Sequence, residues 1–161
     1  MLTHDAMMGR YDGLTPAVRK EREVYAVSAG ANVYFSSSCN SDHEKYMLDH
    51  ANGYSGWAAK QCIVGEWIQV SQENPRLWTG VIMQGRGDGD QWVKSIKMAY
   101  TVNGKEWESL QNGHIFEANS DRNTKMRITF SHPIYARALR IYPQTWNAHL
   151  SMRFDAIYLD L

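Results

Sequence analysis

Met83-Gln84-Gly85-Arg86-Gly87-Asp88-Gly89-Asp90-Gln91-Trp92-Val93 stands between two apolar runs, with Val81 and Met83 before it and Ile96, Met98, Tyr100 and Val102 after it. The second run alternates with Lys97, Ala99 and Thr101, the period of a strand that lays one face on a core. Three glycines interleaved with charged residues let the backbone between the runs turn freely and take positive φ. A Gly-rich loop held between two strands is where a β-scaffold puts recognition. This loop contains Arg86-Gly87-Asp88, a tripeptide that some adhesion receptors read. Its Asp88-Gly89-Asp90 offers oxygens to a hard cation. A hairpin tip that is merely soluble uses the same residue types, so that alternative stays open here.

Outward from this loop the pattern remains β-like. Val24 to Val27, Asn32 to Phe35, Trp67 to Val70 and Thr79 to Gln84 are candidate strands, and Asn74-Pro75 marks a turn between the last two. Asn103-Gly104 is a two-residue hairpin signal, with Trp107 on the return. Met126, Ile128 and Phe130 alternate with Arg127 and Thr129. Leu139 and Ile141 alternate with Arg140, and Leu150, Met152 and Phe154 with Ser151, Arg153 and Asp155. No long amphipathic helix is expected after residue 24. About eight short strands separated by turn signals read as an antiparallel sandwich or barrel. Trp67 and Trp92, at strand positions, are expected in the core.

Residues 1–23 read as an extension or linker, and 24–161 as the domain. Thr15-Pro16 followed by Ala17 to Glu23 is a capped helical turn, with Thr15 at the cap and Pro16 at the first position. Ser36 to Gly56 is long, polar and irregular, the kind of loop that is functional or mobile.

The chain has 161 residues, enough for one sizeable core, and its 17 basic and 17 acidic residues balance. A zero net charge argues against a nucleic-acid binder, which needs a basic surplus. No apolar run has the length of a membrane helix, and Met1 to Leu14 lacks a signal-peptide core. Cys39 and Cys62 are the only cysteines. They are one bridge in an oxidising compartment or two thiols in a reducing one. Asp49, Asn52 and Ser55, with Gly53 to turn the loop, offer oxygens to calcium, and a hydrogen-bonded loop without metal is the alternative. Enzyme motifs such as Gly-x-Ser-x-Gly, His-Glu-x-x-His and a phosphate-binding Gly-rich loop are absent from the sequence.

The order of the pieces resembles the discoidin domain, also called the coagulation factor 5/8 C-type domain. The carriers are Phe35-Ser36-Ser37-Ser38, Gly56-Trp57, Trp67-Ile68-Gln69-Val70, Gly80 to Arg86, Gln91 to Ser95 and Asn103 to Trp107, then Pro133 to Arg137, Arg140 to Trp146 and Leu150 to Arg153. The likeness is nearest to the N-terminal domain of the slime-mould discoidin lectins, through Gly85 to Val93, Ser120 to Thr124 and Pro143 to His149. It implies a non-enzymatic, eight-stranded antiparallel jelly-roll β-sandwich of the galactose-binding-domain type. One rim would carry the Ser38 to Gly56, Gly85 to Asp90 and Gln144 to His149 loops.

The expected ligands are galactose- or N-acetylgalactosamine-type glycans on cell surfaces. Arg86, Asp88, Asn147 and His149 would supply hydrogen bonds, and Tyr54 or Trp146 an aromatic platform. The alternative is an adhesion or membrane module, acting through an integrin-like receptor that reads Arg-Gly-Asp or through anionic phospholipid. The resemblance further implies Asp155 as an acid completing the calcium site. It also leaves Cys39–Cys62 as the one bridge available, against two free thiols. The family's usual bridge between the two ends of the domain has no cysteines here. An extracellular or cell-surface location, homo-oligomerisation and membership of a larger chain complete the expectations.

Overall fold

The computed structural model describes residues 3–39, 43–51 and 53–161, with the backbone alone for His43 and Glu44. Two short helices come first, α1 (His4–Asp12) and α2 (Pro16–Glu21). Among the described residues nine strands follow: β1 (Glu23–Tyr25), β2 (Asn32–Phe35), β3 (Trp57–Ala58), β4 (Ile68–Gln84), β5 (Trp92–Thr101), β6 (Glu108–Ser109), β7 (Phe116–Glu117), β8 (Met126–Asn147) and β9 (Ser151–Leu159). All pairings between these strands are antiparallel. The fold is the expected jelly-roll β-sandwich.

Two long strands, β4 and β8, build both layers. The register of β4 on β8 breaks between Ser71 and Arg76 and again between Trp78 and Gly80. Such irregularities bend a strand and raise its twist. Before the bend, Ile68 to Ser71 pairs with β2 on one side and with Ala138 to Ile141 of β8 on the other. Beyond it, Leu77 to Gln84 lies between β9 and the first half of β8. β5 pairs with the second half of β8, and carries β6 and β7 on its free edge. The two layers thus share β4 and β8 and face one core. That core joins Ile68, Val70, Ile96 and Met98 of one layer to Val81, Met83, Ile128 and Phe154 of the other.

The alternation seen in the sequence fixes these faces, because successive side chains of a strand point to opposite sides. In β9, Met152, Phe154 and Ala156 belong to the core. Arg153 and Asp155 occupy the other face and are nonetheless 1% exposed. Both are covered by turns that they hold by hydrogen bonds.

Several expectations are corrected. Thr79 to Gln84 and Trp67 to Val70 are one strand, with Asn74-Pro75 at its bulge rather than in a turn between two. Asn103-Gly104 does not make a two-residue hairpin: β6 begins only at Glu108. Asn103 Oδ1 instead accepts from the amides of Lys105 and Glu106, which folds a longer loop. The fully buried tryptophans are Trp57 and Trp78, whose indole N–H groups donate to Ser37 O and Ala136 O. Trp67 and Trp92 are only half-buried. Trp67 instead stacks on the Arg140 guanidinium, 3.9 Å from its ring centroid, with Trp107 at 4.0 Å.

Thr15 caps α2 through Val18 N, as its sequence implies. α1 has no counterpart among the expectations. It is capped by Thr3, buries Met7, and sets His4 against Tyr135 with ring centroids 5.5 Å apart.

Candidate functional site

The three loops expected at one rim do meet there: Arg153 ties the Ser38 to Gly56 loop to the Gly85 to Asp90 loop, and Asn147 joins the Gln144 to His149 loop to Asp90. The Arg153 guanidinium donates from Nε to Gly85 O at 2.7 Å and from Nη1 to His50 O at 2.8 Å. Nη2 donates to Arg122 O and Asn123 Oδ1, both at 2.8 Å. A planar fork with five donors can hold several carbonyls in fixed directions, which a lysine cannot. The cation faces neutral carbonyls, so desolvation lowers its pKa, while the more distant charges of Asp49 and Asp88 oppose that shift. Arg122 brings a fourth loop to the rim, and its Nε donates to Asp90 at 2.8 Å.

On this base the Gly85 to Asp90 loop closes on itself. Arg86 Nε donates to Asp88 Oδ1 at 2.7 Å, and Nη1 to Gln91 Oε1 at 3.1 Å. The Asp88 carboxylate also accepts the amides of Tyr54 at 2.7 Å and Ser55 at 3.0 Å. The hydrogen bond from Arg86, aided by those amides, holds the Asp88 carboxyl down at about 2, against the opposing cost of desolvation. The charges of Arg86-Gly87-Asp88 are therefore spent on each other and on the neighbouring loop. Gly87 is required here: a Cβ would lie 2.6 Å from Ser55 Oγ and 2.7 Å from His50 O.

The Tyr54 ring is 66% exposed and stands with its centroid 5.3 Å from the Arg86 guanidinium. Tyr54 has φ +56° and Ala148, just before His149, φ +62°. Left-handed backbone at residues other than glycine is uncommon and clusters at functional sites. Beneath Tyr54 opens a cavity of about 340 Å³, lined by Arg86, Gln91, Cys39, His149 and Ser151 among others. That volume lies at the lower end of the range for small-molecule sites.

Of the residues expected to bind, Tyr54, Arg86 and His149 line this cavity. Asp88 supports it from behind through Tyr54 and Arg86. Asn147 and Trp146 have other partners: Asn147 Nδ2 donates to Asp90 O at 2.9 Å, and Trp146 packs on the core. Of the two expected aromatics, Tyr54 faces the cavity and Trp146 does not.

The metal reading loses its acid. Both oxygens of Asp155 are engaged in capping the turn after β1, by Val27 N at 2.7 Å, Ser28 N at 3.0 Å and Ser28 Oγ at 2.6 Å. Asp49 accepts from Lys125 Nζ at 2.7 Å, and that bond lowers its pKa. Ser55 Oγ donates to His50 O. Asn52 lies outside the described residues. Among the described residues no three His, Cys, Asp or Glu side chains converge as a metal site.

The Cys39–Cys62 bridge is likewise not formed, and both thiols are free. Cys39 Sγ donates to Ala59 O at 3.1 Å, while Cys62 Sγ lies 3.2 Å from His149 Nδ1. The sulfurs are linked through the Ala59 carbonyl and the imidazole rather than to each other.

Arg153, Gln84 and Gln91 are not among the residues that the sequence points to as ligand-binding. Gln84 is buried, accepts Asp49 N at 2.8 Å and donates to Asn123 O at 2.8 Å. The available signal was a polar residue within a strand of otherwise apolar neighbours, which marks a buried group serving a loop.

The F5/8 type C domain family matches residues 32–155. Discoidin-2 of Dictyostelium discoideum is 34% identical over 140 residues, 81% of this chain and 54% of that protein. The structure of wild-type discoidin II from the same organism aligns with a TM-score of 0.82 at 33% identity, over 86% of this chain and 59% of the other. A family 32 carbohydrate-binding module of C. perfringens NanJ, solved in complex with galactose, aligns at a TM-score of 0.62 and 14% identity, over 84% and 98%. This last likeness is one of fold alone. The chain spans about half the length of the curated relatives it matches.

Proposed function

The chain belongs to the F5/8 type C domain family, and from that premise we propose that it is a carbohydrate-binding module for galactose- or N-acetylgalactosamine-type glycans of cell surfaces. Members of this family are generally binding modules rather than enzymes. The reading is carried by the exposed Tyr54 ring, held by a left-handed backbone over a cavity walled by Arg86 and His149. An aromatic face suits the apolar side of a pyranose. Arg86, Gln91 and His149 bring donors and acceptors to its hydroxyl edge.

A domain formed by residues 24–161, with residues 3–23 folded against it, would act outside the cell or at its surface. Assembly into oligomers, or into a longer chain, would raise the avidity of a single weak site.

A receptor reading through Arg86-Gly87-Asp88 is disfavoured, because Arg86 and Asp88 are paired at 2.7 Å instead of extended. Insertion into anionic lipid by Tyr46 and Met47 is disfavoured because both pack on the core. Calcium has no role in this reading.

Calorimetric titration with galactose and N-acetylgalactosamine tests it. The wild type should bind at least one of them, and Tyr54→Ala should weaken that binding about tenfold, some 1.4 kcal/mol. Absence of binding to either sugar, with pelleting on phosphatidylserine vesicles, would replace this reading with the membrane one.

A further inference from the structure

Cys62, His149 and Ala59 are arranged as a nucleophile, a base and a group that orients the base. His149 Nε2 lies 3.0 Å from Ala59 O, which can only accept, so Nε2 carries the proton. The neutral ring then presents a lone pair at Nδ1, and the Cys62 thiol 3.2 Å away donates to it. Cys62 Sγ also accepts the Leu150 amide at 3.4 Å, a contact that favours negative charge on sulfur. Thiols activated in this way have a base within hydrogen-bond reach, itself held by a third group.

Cys62 is half-buried at the edge of the core rather than sealed inside it. Cys39 is the more exposed thiol, but it donates to the Ala59 carbonyl and has no imidazole contact of this kind among the described side chains. Nothing in the sugar reading uses the Cys62 sulfur.

We propose that Cys62 is a modification site that undergoes thiol–disulfide exchange with small disulfides, with His149 as its base. Cys62 Sγ attacks one sulfur of R–S–S–R, and the S–S bond breaks as Cys62–S–S–R forms. The thiol proton passes to His149 Nδ1 and from there to the departing RS⁻, which leaves as RSH. The disulfide supplies the oxidising equivalents, so no further reagent is needed. His149 also lines the cavity beneath Tyr54, so the adduct forms directly behind the wall of the site.

The test is the rate of reaction with Ellman's disulfide at pH 7, a readout independent of any sugar. In Cys39→Ser, where Cys62 alone remains, the native protein should react at least about tenfold faster than the same protein unfolded in urea, as general-base assistance requires. Adding His149→Gln keeps a donor for Ala59 O but removes the base, and should abolish the excess. Should that double variant fail to fold, Cys39→Ser is compared with Cys62→Ser, both native. Cys62 must then outpace the more exposed Cys39. The proposal is overturned if native Cys39→Ser reacts no faster than its unfolded form, if His149→Gln leaves the excess intact, or if Cys39 is the faster thiol.

Discussion

Replacing Arg153 by methionine probes the hub of the rim while keeping most of the side-chain volume. The native side chain is 1% exposed and makes four hydrogen bonds to Gly85, His50, Arg122 and Asn123. Hydrogen bonds to a charged group contribute about 1.5–3 kcal/mol each. Holding a cation away from water with no carboxylate in contact offsets several kcal/mol of that gain. Methionine relieves the second cost but leaves three backbone carbonyls to find water at a closed site. The expected net loss is about 3–5 kcal/mol, from about 1–3 kcal/mol for each unsatisfied carbonyl less the relief of no longer burying the cation. In a chain of this length about 1 kcal/mol moves the melting midpoint by about 2–4 °C, so thermal unfolding should fall by about 6–20 °C. Amide exchange should speed up first at Gly87 and Tyr54, whose bonds depend on the loops that Arg153 clips. Arg153→Lys restores the charge but not the planar fork, and should recover only part of the loss. A melting point for Arg153→Met within about 3 °C of wild type, with unchanged exchange in these loops, would show that the carbonyls are satisfied without the guanidinium.

Other outcomes follow from the same geometry. The Asp88 carboxyl is held at about 2, below its ordinary 3.8, so its stabilisation is complete above the ordinary value and lost as pH falls through about 2. Melting curves should place wild type above Asp88→Asn at pH 6, and the gap should close between about pH 4 and pH 2. Gly87→Ala would put a Cβ 2.6 Å from Ser55 Oγ and 2.7 Å from His50 O. It should therefore weaken galactose binding, measured by calorimetry, about tenfold while the core melts within a few degrees of wild type. Thiol titration of the denatured, unreduced protein should find two free groups, and a count of zero would mean that Cys39 and Cys62 are bridged.

Which surfaces turn inward was legible in the chain because a strand has a period of two. Ile96 and Met98, or Met152 and Phe154, announce a core face whatever their partner strands prove to be. Thr15-Pro16 announced a helix start through local capping chemistry. The rim loops were legible by their glycines and polar residues, and the family resemblance set their order. Distant partners left no such mark. The bend of β4 at Asn74-Pro75 looks like a turn in sequence, and only pairing to β8 on both sides makes it one strand. Arg153 and Asp155 sit two residues apart on the same face and look interchangeable as solvent-facing polar positions. One holds three loops of the candidate site, and the other caps the turn after β1 far along the sequence. Likewise Cys39 and His149 meet at Ala59 O, with Cys62 against the far side of the imidazole, only because β3 pairs with β9 and brings residues 39–62 beside residue 149. Periodicity and turn chemistry are properties of neighbouring residues, so the chain alone determined the strands, their inward faces and the irregular connections between them. Which buried donor meets which carbonyl depends on segments more than a hundred residues apart being fixed within hydrogen-bond distance, and that was decided by the packed tertiary structure.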